Sequence, residues 1–219
     1  EVGCSAGVLL AFDRYGYRLN DQGVIGDPDA LLLEGELRGG PELFIPRIGS
    51  RTGIDLDTID VRSQEERRWL LALSFPELRD EQTRLAAALD VVAGTGMRML
   101  EGDALDCLPE AMALAPDPLC VFHSACLFYW SPESRAKFDQ QLREASEARP
   151  IWRIAIEPSF VFDEWDALNG GGAVESAPPD RNLKVGGINV IRYRDGQATR
   201  QVLGWPDADY GVINWANTA

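Results

Sequence analysis

Apolar and polar positions alternate along this chain with two periods. At helical spacing, Trp69, Leu70 and Leu73 follow Ser63, a capping residue with Glu65 and Glu66 in the first turn behind it. Residues 77–92 predict a second helix with Leu85, Ala88, Leu89 and Val92 on one face, ended by Gly94 and Gly96. Further helices are expected at 8–15, at 108–114, and from Ser131-Pro132-Glu133 to about residue 147, with Ser as cap and Pro at the first helical position.

Strand patterns fall between them. RTGIDLDTIDV and MRMLEGDALDCL each open on a short strand. LCVFHSACLFYW is an apolar run between Pro118 and Pro132, of the kind found inside a parallel sheet. IWRIAIEP is the next strand. GGINVIRYRDGQATRQVLGW places two β-rich runs around Asp195-Gly196, a hairpin signal. Residues 170–179, rich in Gly and Pro, are expected to form a flexible loop.

Residues 16–53 are irregular, with strand-like pieces at 17–19 and 31–37, and are expected to form an insertion with one hairpin. The order predicts an α/β fold in one domain over 1–219. Its sheet is open and mostly parallel, with helices on both faces, an antiparallel C-terminal hairpin and an inserted segment after the first helix. The chain begins without Met at what reads as a strand's end, so an upstream continuation of that strand is expected.

Charge narrows the partners. A formal net charge of −14 excludes nucleic acid and anionic membrane surfaces, whose recognition requires Lys and Arg. No apolar run approaches the roughly 20 residues of a membrane span. A small-molecule substrate and a cytoplasmic location are expected; oligomeric state is not readable. Cys4, Cys107, Cys120 and Cys126 form no C-x-x-C pair and the chain has one His, so no metal site is expected and the thiols read as reduced.

The opening EVGCSAG allows two chemistries. As G-x-S-x-G it is a nucleophile elbow, with Ser5 as nucleophile, His123 as base and Asp103 or Asp106 as the acid. Against this, His123 falls within an apolar strand, and no oxyanion loop precedes the elbow. As E-x-G-x-x-x-G it is a nucleotide-binding turn, in which glycines let the backbone approach a ligand and the following helix presents N–H groups.

Ligands of open parallel sheets bind beyond the carboxyl ends of the strands. Gly3–Gly7, then Asp55 and Asp57, then Asp103, and finally His123 and Ser124 close successive strands there. A carboxylate after the second strand can accept from ribose hydroxyls, and Asp103 from an adenine amino group. Asp55 lies further from the glycines than the usual 20 or so residues. Either the 16–53 insertion loops out, or residues 31–37 form the second strand and Glu34 or Glu36 is the ribose ligand.

His123 has a plainer reading as a core histidine with its ring nitrogens satisfied. The six tryptophans, Trp69, Trp130, Trp152, Trp165, Trp205 and Trp215, read as core or lid aromatics. Tyr129 and Trp130, just past the fourth strand, are the aromatics placed to line a substrate pocket.

EVGCSAGVLLAFDRYGY, RTGIDLDTIDV, RRWLLALSFPE, EGDALDCLPE and VFHSACLFYW together resemble a bacterial domain-of-unknown-function family with a class I S-adenosylmethionine-dependent methyltransferase-like, Rossmann-like fold. The resemblance runs from Glu1 to about residue 158. It implies S-adenosylmethionine as cofactor. Glu1, Gly3, Cys4, Ser5 and Gly7 would cradle its methionine side, Asp55 or Asp57 its ribose, and Gly102, Asp103 and Ala104 its adenine. His123 would orient or deprotonate an acceptor. His123-Ser124-Ala125 stands where amino-methyltransferases carry an Asn/Asp-Pro-Pro-Tyr type motif, so no acceptor is named. A non-catalytic nucleoside-binding or interaction module is the alternative on the same fold.

Overall fold

The computed structural model describes residues 1–20, 23–75, 77–169, 186–207 and 211–216. The glycine loop expected at 170–179 and the helix-breaking Pro76 lie outside them. The chain divides into two compact units, Glu1–Glu34 with Leu43–Ala115, and Gly35–Glu42 with Pro116–Ala219.

The first unit is built on three parallel extended segments. Val2 bridges Ile54 of β4 (Thr52–Asp55), and β4 pairs in register with β5 (Arg98–Glu101), so Asp55 lies opposite Glu101. Parallel strands need a long crossover. Here it is α1 (Gln64–Ala72) and α2 (Arg79–Ala93). The Ser63 side chain accepts the Glu66 N–H and starts α1, as its capping pattern requires. Helix α2 buries Ala88, Leu89 and Val92, which pack with Ala6, Ala11, Tyr15 and Val61. Helix α1 buries no residue, and Trp69 is 63% exposed, unlike the core or lid role expected of it. Helix α3 (Ala104–Leu114) follows β5.

After Val2 the chain turns through Gly3–Gly7 into a short 3-10 segment, Leu9–Arg14, where an ordinary helix was expected. Tyr15 Oη donates to the Val8 carbonyl and Tyr17 Oη to that of Phe12, so the segment is tied down from its far end. The region that follows forms one hairpin, β1 (Gly16–Leu19) with β2 (Ile25–Gly26), and β1 lies beside β3 (Leu32–Arg38).

In the second unit the strand order is β3-β10-β9-β8-β7-β6, with β6 (Leu119–Ser124), β7 (Ile151–Ile156), β8 (Ile188–Arg194), β9 (Gln197–Pro206) and β10 (Val212–Trp215). Only β6–β7 and β3–β10 are parallel; β7–β8, β8–β9 and β9–β10 are antiparallel. The sheet is therefore mixed, which corrects the mostly parallel sheet expected from the sequence. The cause is connectivity. Strands β8 and β9 are joined by a two-residue turn and must run in opposite directions. The Asp195-Gly196 turn joins β8 to β9 with both residues at positive φ, 50° and 73°, as a two-residue hairpin requires.

One face of this sheet buries Leu119, Val121 and His123 from β6, Ile151, Arg153 and Ala155 from β7, and Asn189, Ile191 and Tyr193 from β8. Helix α4 (Pro132–Ser146) packs on the sheet and buries Phe138 and Leu142, and α5 (Ser159–Asn169) buries Val161 and Phe162. Each such apolar side chain contributes roughly 1.5–3 kcal/mol of burial. Strand β6 is buried on this face only: Cys120 is exposed, because β6 is the edge of the sheet and not an interior parallel strand.

Candidate functional site

The first unit brings three strand ends to one rim. Gly3 N and Cys4 N both donate to the Ile54 carbonyl, at 2.8 and 3.1 Å, and Ile54 N donates back to the Glu1 carbonyl. The strand next to Val2 is therefore β4, while Glu36–Arg38 of β3 pairs with β10. Residues 31–37, the other candidate for the second strand, do not pair with the segment that ends in the glycine turn. Asp55 ends the strand that does.

Asp55 is bound into the turn. Its Oδ2 accepts the Ser5 N–H at 2.7 Å and its Oδ1 the Asp57 N–H at 3.2 Å. Each oxygen keeps a second lone pair for another donor. Ser5 sits at φ 49°, flanked by Gly3 at 76° and Gly7 at 75°, a run of left-handed residues that fixes the tight bend. Close packing reinforces it. A Cβ on Gly53 would lie 2.6 Å from Cys4 Sγ.

The N–H groups of Gly3, Cys4, Ser5 and Gly7 are all engaged inside the turn or with β4. What the turn offers a ligand is close backbone approach, not a set of amide donors. Cys4 faces inward, 4% exposed, with burial pushing its thiol up to about 12.

Beyond β5, Gly102 has φ 144° and its N–H donates to the Asp55 carbonyl. Asp103 caps α3 through Oδ1, which accepts the Leu105 N–H at 2.8 Å, and Ala104 is buried behind it. Two residues absent from the sequence reading join the rim. Glu101 accepts from Thr58 Oγ1 at 3.1 Å, and Leu56, between Asp55 and Asp57, is 75% exposed. The signal for Leu56 was in the sequence: an apolar residue between two acids at a strand's end has no core to enter. Gly3, Leu56, Asp57, Glu101 and Asp103 all face solvent. Glu1 is largely buried. Burial lifts its carboxyl to about 8, and the Asp55 charge adds to the rise.

The second unit holds His123, 2% exposed. Its Nδ1 lies 2.6 Å from Glu157 Oε1, and its Nε2 is 2.9 Å from Arg153 Nε. A guanidinium only donates, so Nε2 accepts and the proton sits on Nδ1. Burial and the neighbouring Arg153 charge lower the ring's pKa to about 4, against the pull of Glu157. Burial disfavours the Glu157 charge, but the His123 hydrogen bond and the N–H groups of Leu127 and Cys126 outweigh it and hold the carboxyl low. His123 is thus a satisfied core histidine. Neither Ser5, Asp103 nor Asp106 is among its partners. Glu157 lies at the end of the expected strand IWRIAIEP, where a carboxylate reads as exposed; its partner His123 is 34 residues away.

Tyr129 is 79% exposed and lies against Phe128, ring centres 3.8 Å apart; Trp130 meets Phe138 edge-on. A cavity of about 460 Å³ opens between α4 and α5, lined by Arg135, Asp139, Arg143, Arg153 and Trp165 among others. Neither Tyr129 nor Trp130 lines it.

No cysteine is in a disulfide. Among the described residues no group of His, Cys, Asp and Glu is placed to hold a metal ion, and no helix is long and apolar enough to cross a membrane.

Helices together with a mixed sheet make this a mixed α/β protein. Residues 1–213 match the model of a family described as an uncharacterized protein conserved in bacteria, DUF2332, and the chain belongs to that family. No curated protein and no solved structure matches it.

Proposed function

We propose that this chain is an S-adenosylmethionine-dependent methyltransferase-like protein of the cytoplasm, with the cofactor's adenosine at the rim of the first unit. One observation supports this most: the adjacency of Val2, β4 and β5, with the left-handed bend after the first strand, Asp55 after the second and Asp103 after the third. Ligands of parallel strands collect at such carboxyl ends.

The rim residues fit the group. Each Asp55 oxygen accepts one hydrogen bond and has capacity for another, which suits the adjacent hydroxyls of a ribose, with Asp57 beside it. Exposed Leu56 offers an apolar surface to a flat base. Asp103, held by its own capping bond, suits an exocyclic amine. Glu1 suits the ammonium of a methionine side, which would favour its ionised form. The cofactor, when bound, supplies an electrophilic methyl group. This chain's residues supply positioning. His123 is enclosed, so its part is to orient neighbours and not to take a proton from an acceptor.

Calorimetric titration with S-adenosylmethionine and S-adenosylhomocysteine tests this reading. Saturable heat that Asp55→Ala removes supports it. No heat at millimolar ligand with folded protein overturns it.

A further inference from the structure

The cavity between α4 and α5 lies wholly within the second unit. Its size falls within the range of small-molecule sites. Its walls combine apolar side chains with charged ones, and the charged ones are closed on one another.

Asp139 accepts from Tyr193 Oη and Trp165 Nε1 at Oδ1 and from Arg143 Nε at Oδ2. Arg143 Nη1 donates onward to the Gly196 carbonyl. Glu164 Oε2 takes both Nε and Nη2 of Arg135, whose Nη1 donates to the Leu127 and Trp130 carbonyls. Arg153 donates to His123 Nε2 and Tyr193 Oη. Among the described residues, no buried side-chain nitrogen or oxygen on these walls lacks a hydrogen-bond partner.

The charges balance as well. Arg135 pairs with Glu164 and Arg143 with Asp139. Arg153 is matched through His123 by Glu157, whose hydrogen bonds keep its carboxyl in the charged form. An ion of either sign would give up its hydration on entering and meet no unmatched counter-charge. A water molecule held in a cavity needs several polar partners, and these walls have engaged theirs with one another.

What remains for a ligand is apolar surface. Pro132, Ala136, Val161, Trp165 and Ala167 supply it, and arginine stems add methylene groups. The Trp165 ring is held by its Nε1–H on Asp139 Oδ1 at 2.6 Å, so this aromatic wall is fixed before any ligand arrives.

We propose that this cavity binds a small, neutral, largely apolar molecule, seated against Ala136, Val161 and Trp165. Balanced walls disfavour a charged ligand, satisfied walls ask for no hydrogen bond, and the apolar remainder supplies the contact.

Calorimetry with indole as the probe tests this, with indole-3-acetate and tryptamine as comparisons that carry the same ring and one charge of either sign. Indole is expected to bind at millimolar concentration or tighter, with a negative heat-capacity change, and both charged compounds at least about tenfold more weakly. Ala136→Phe fills the cavity from α4 and is expected to abolish binding with the circular dichroism spectrum retained. Should that variant not fold, Ala167→Phe fills the cavity from α5, where the side chain is exposed, and carries the same expectation. Three results would overturn the proposal: no heat from indole with folded protein, equal affinity for either charged compound, or unchanged affinity in a folded filling variant. Both filling positions lie in the second unit, so these outcomes are independent of nucleoside binding at the rim.

Discussion

Arg153 donates its Nε–H to His123 Nε2 at 2.9 Å, across neighbouring parallel strands and out of reach of water. A guanidinium bonded to an imidazole requires the imidazole to be neutral. Together with Glu157 on the other nitrogen, this fixes one tautomer and one protonation state for the only histidine in the chain.

That histidine is directly observable. Nitrogen-15 NMR is expected to show a single neutral ring, protonated at Nδ1, unchanged from pH 8 to pH 5, since its pKa is lowered to about 4. Titration at an ordinary value near 6.5 would contradict the network.

The same group links stability to pH. A histidine whose folded pKa is depressed contributes stability that is complete above the unfolded value of about 6.5 and is lost as pH falls toward 4. The difference of two to three units corresponds to on the order of 3 kcal/mol. Glu1 acts in the opposite sense: its raised carboxyl makes stability fall as pH climbs from 4.5 to about 8. The two overlap between pH 4.5 and 6.5. Urea unfolding of Glu1→Gln is therefore expected to show the His123 slope more steeply than the unaltered chain. Equal slopes would remove the Glu1 assignment.

Gly53 tests the pairing of the first strand with β4. Its Cβ would lie 2.6 Å from Cys4 Sγ and 3.0 Å from Leu10 Cδ1. Gly53→Ala is expected to destabilise by about 1–3 kcal/mol, as overpacking does. Cys4→Ala in the same chain should recover part of the loss. A neutral Gly53→Ala in thermal unfolding would mean that the two segments are not so closely apposed.

Gly196 at φ 73° closes the β8–β9 turn. Gly196→Ala is expected to cost about 1 kcal/mol, and a stabilised variant would contradict the turn geometry.

Much of this was readable because the signals are local. Ser63, Ser131-Pro132 and Asp195-Gly196 each act within a few residues, and the α1 cap, the α4 start and the β8–β9 turn stand where those residues put them. The apolar face of α2 is likewise set by spacing alone. Sheet direction was not readable. An apolar strand such as β6 has the same composition whether it lies inside a parallel sheet or at the edge of a mixed one, and only its partners decide. Glu157 and Arg153 were missed for a related reason. A charged residue at a strand's end or middle reads as exposed until a partner 30 or more residues away is known to neutralise it. The rim was legible in part, because Gly3, Gly7, Asp55 and Asp103 stand at strand ends; that β4 lies beside Val2 is a long-range fact.

Ligand affinity at the rim should follow the ionisation of Glu1. If its carboxylate meets the ammonium of S-adenosylmethionine, affinity is expected to rise from pH 6 to pH 8, because protonated Glu1 offers that cation no charge. A Glu1→Gln variant should lose this dependence. Adenosine, which lacks the ammonium, should show none in either protein.

Calorimetry of S-adenosylhomocysteine binding to the unaltered chain and to Asp55→Ala bears most directly on the adenosine site. One-site binding to the former, lowered at least about tenfold in the latter, is the expected result. Folded protein that takes up no ligand at millimolar concentration, or that binds equally well without the Asp55 carboxylate, would contradict it.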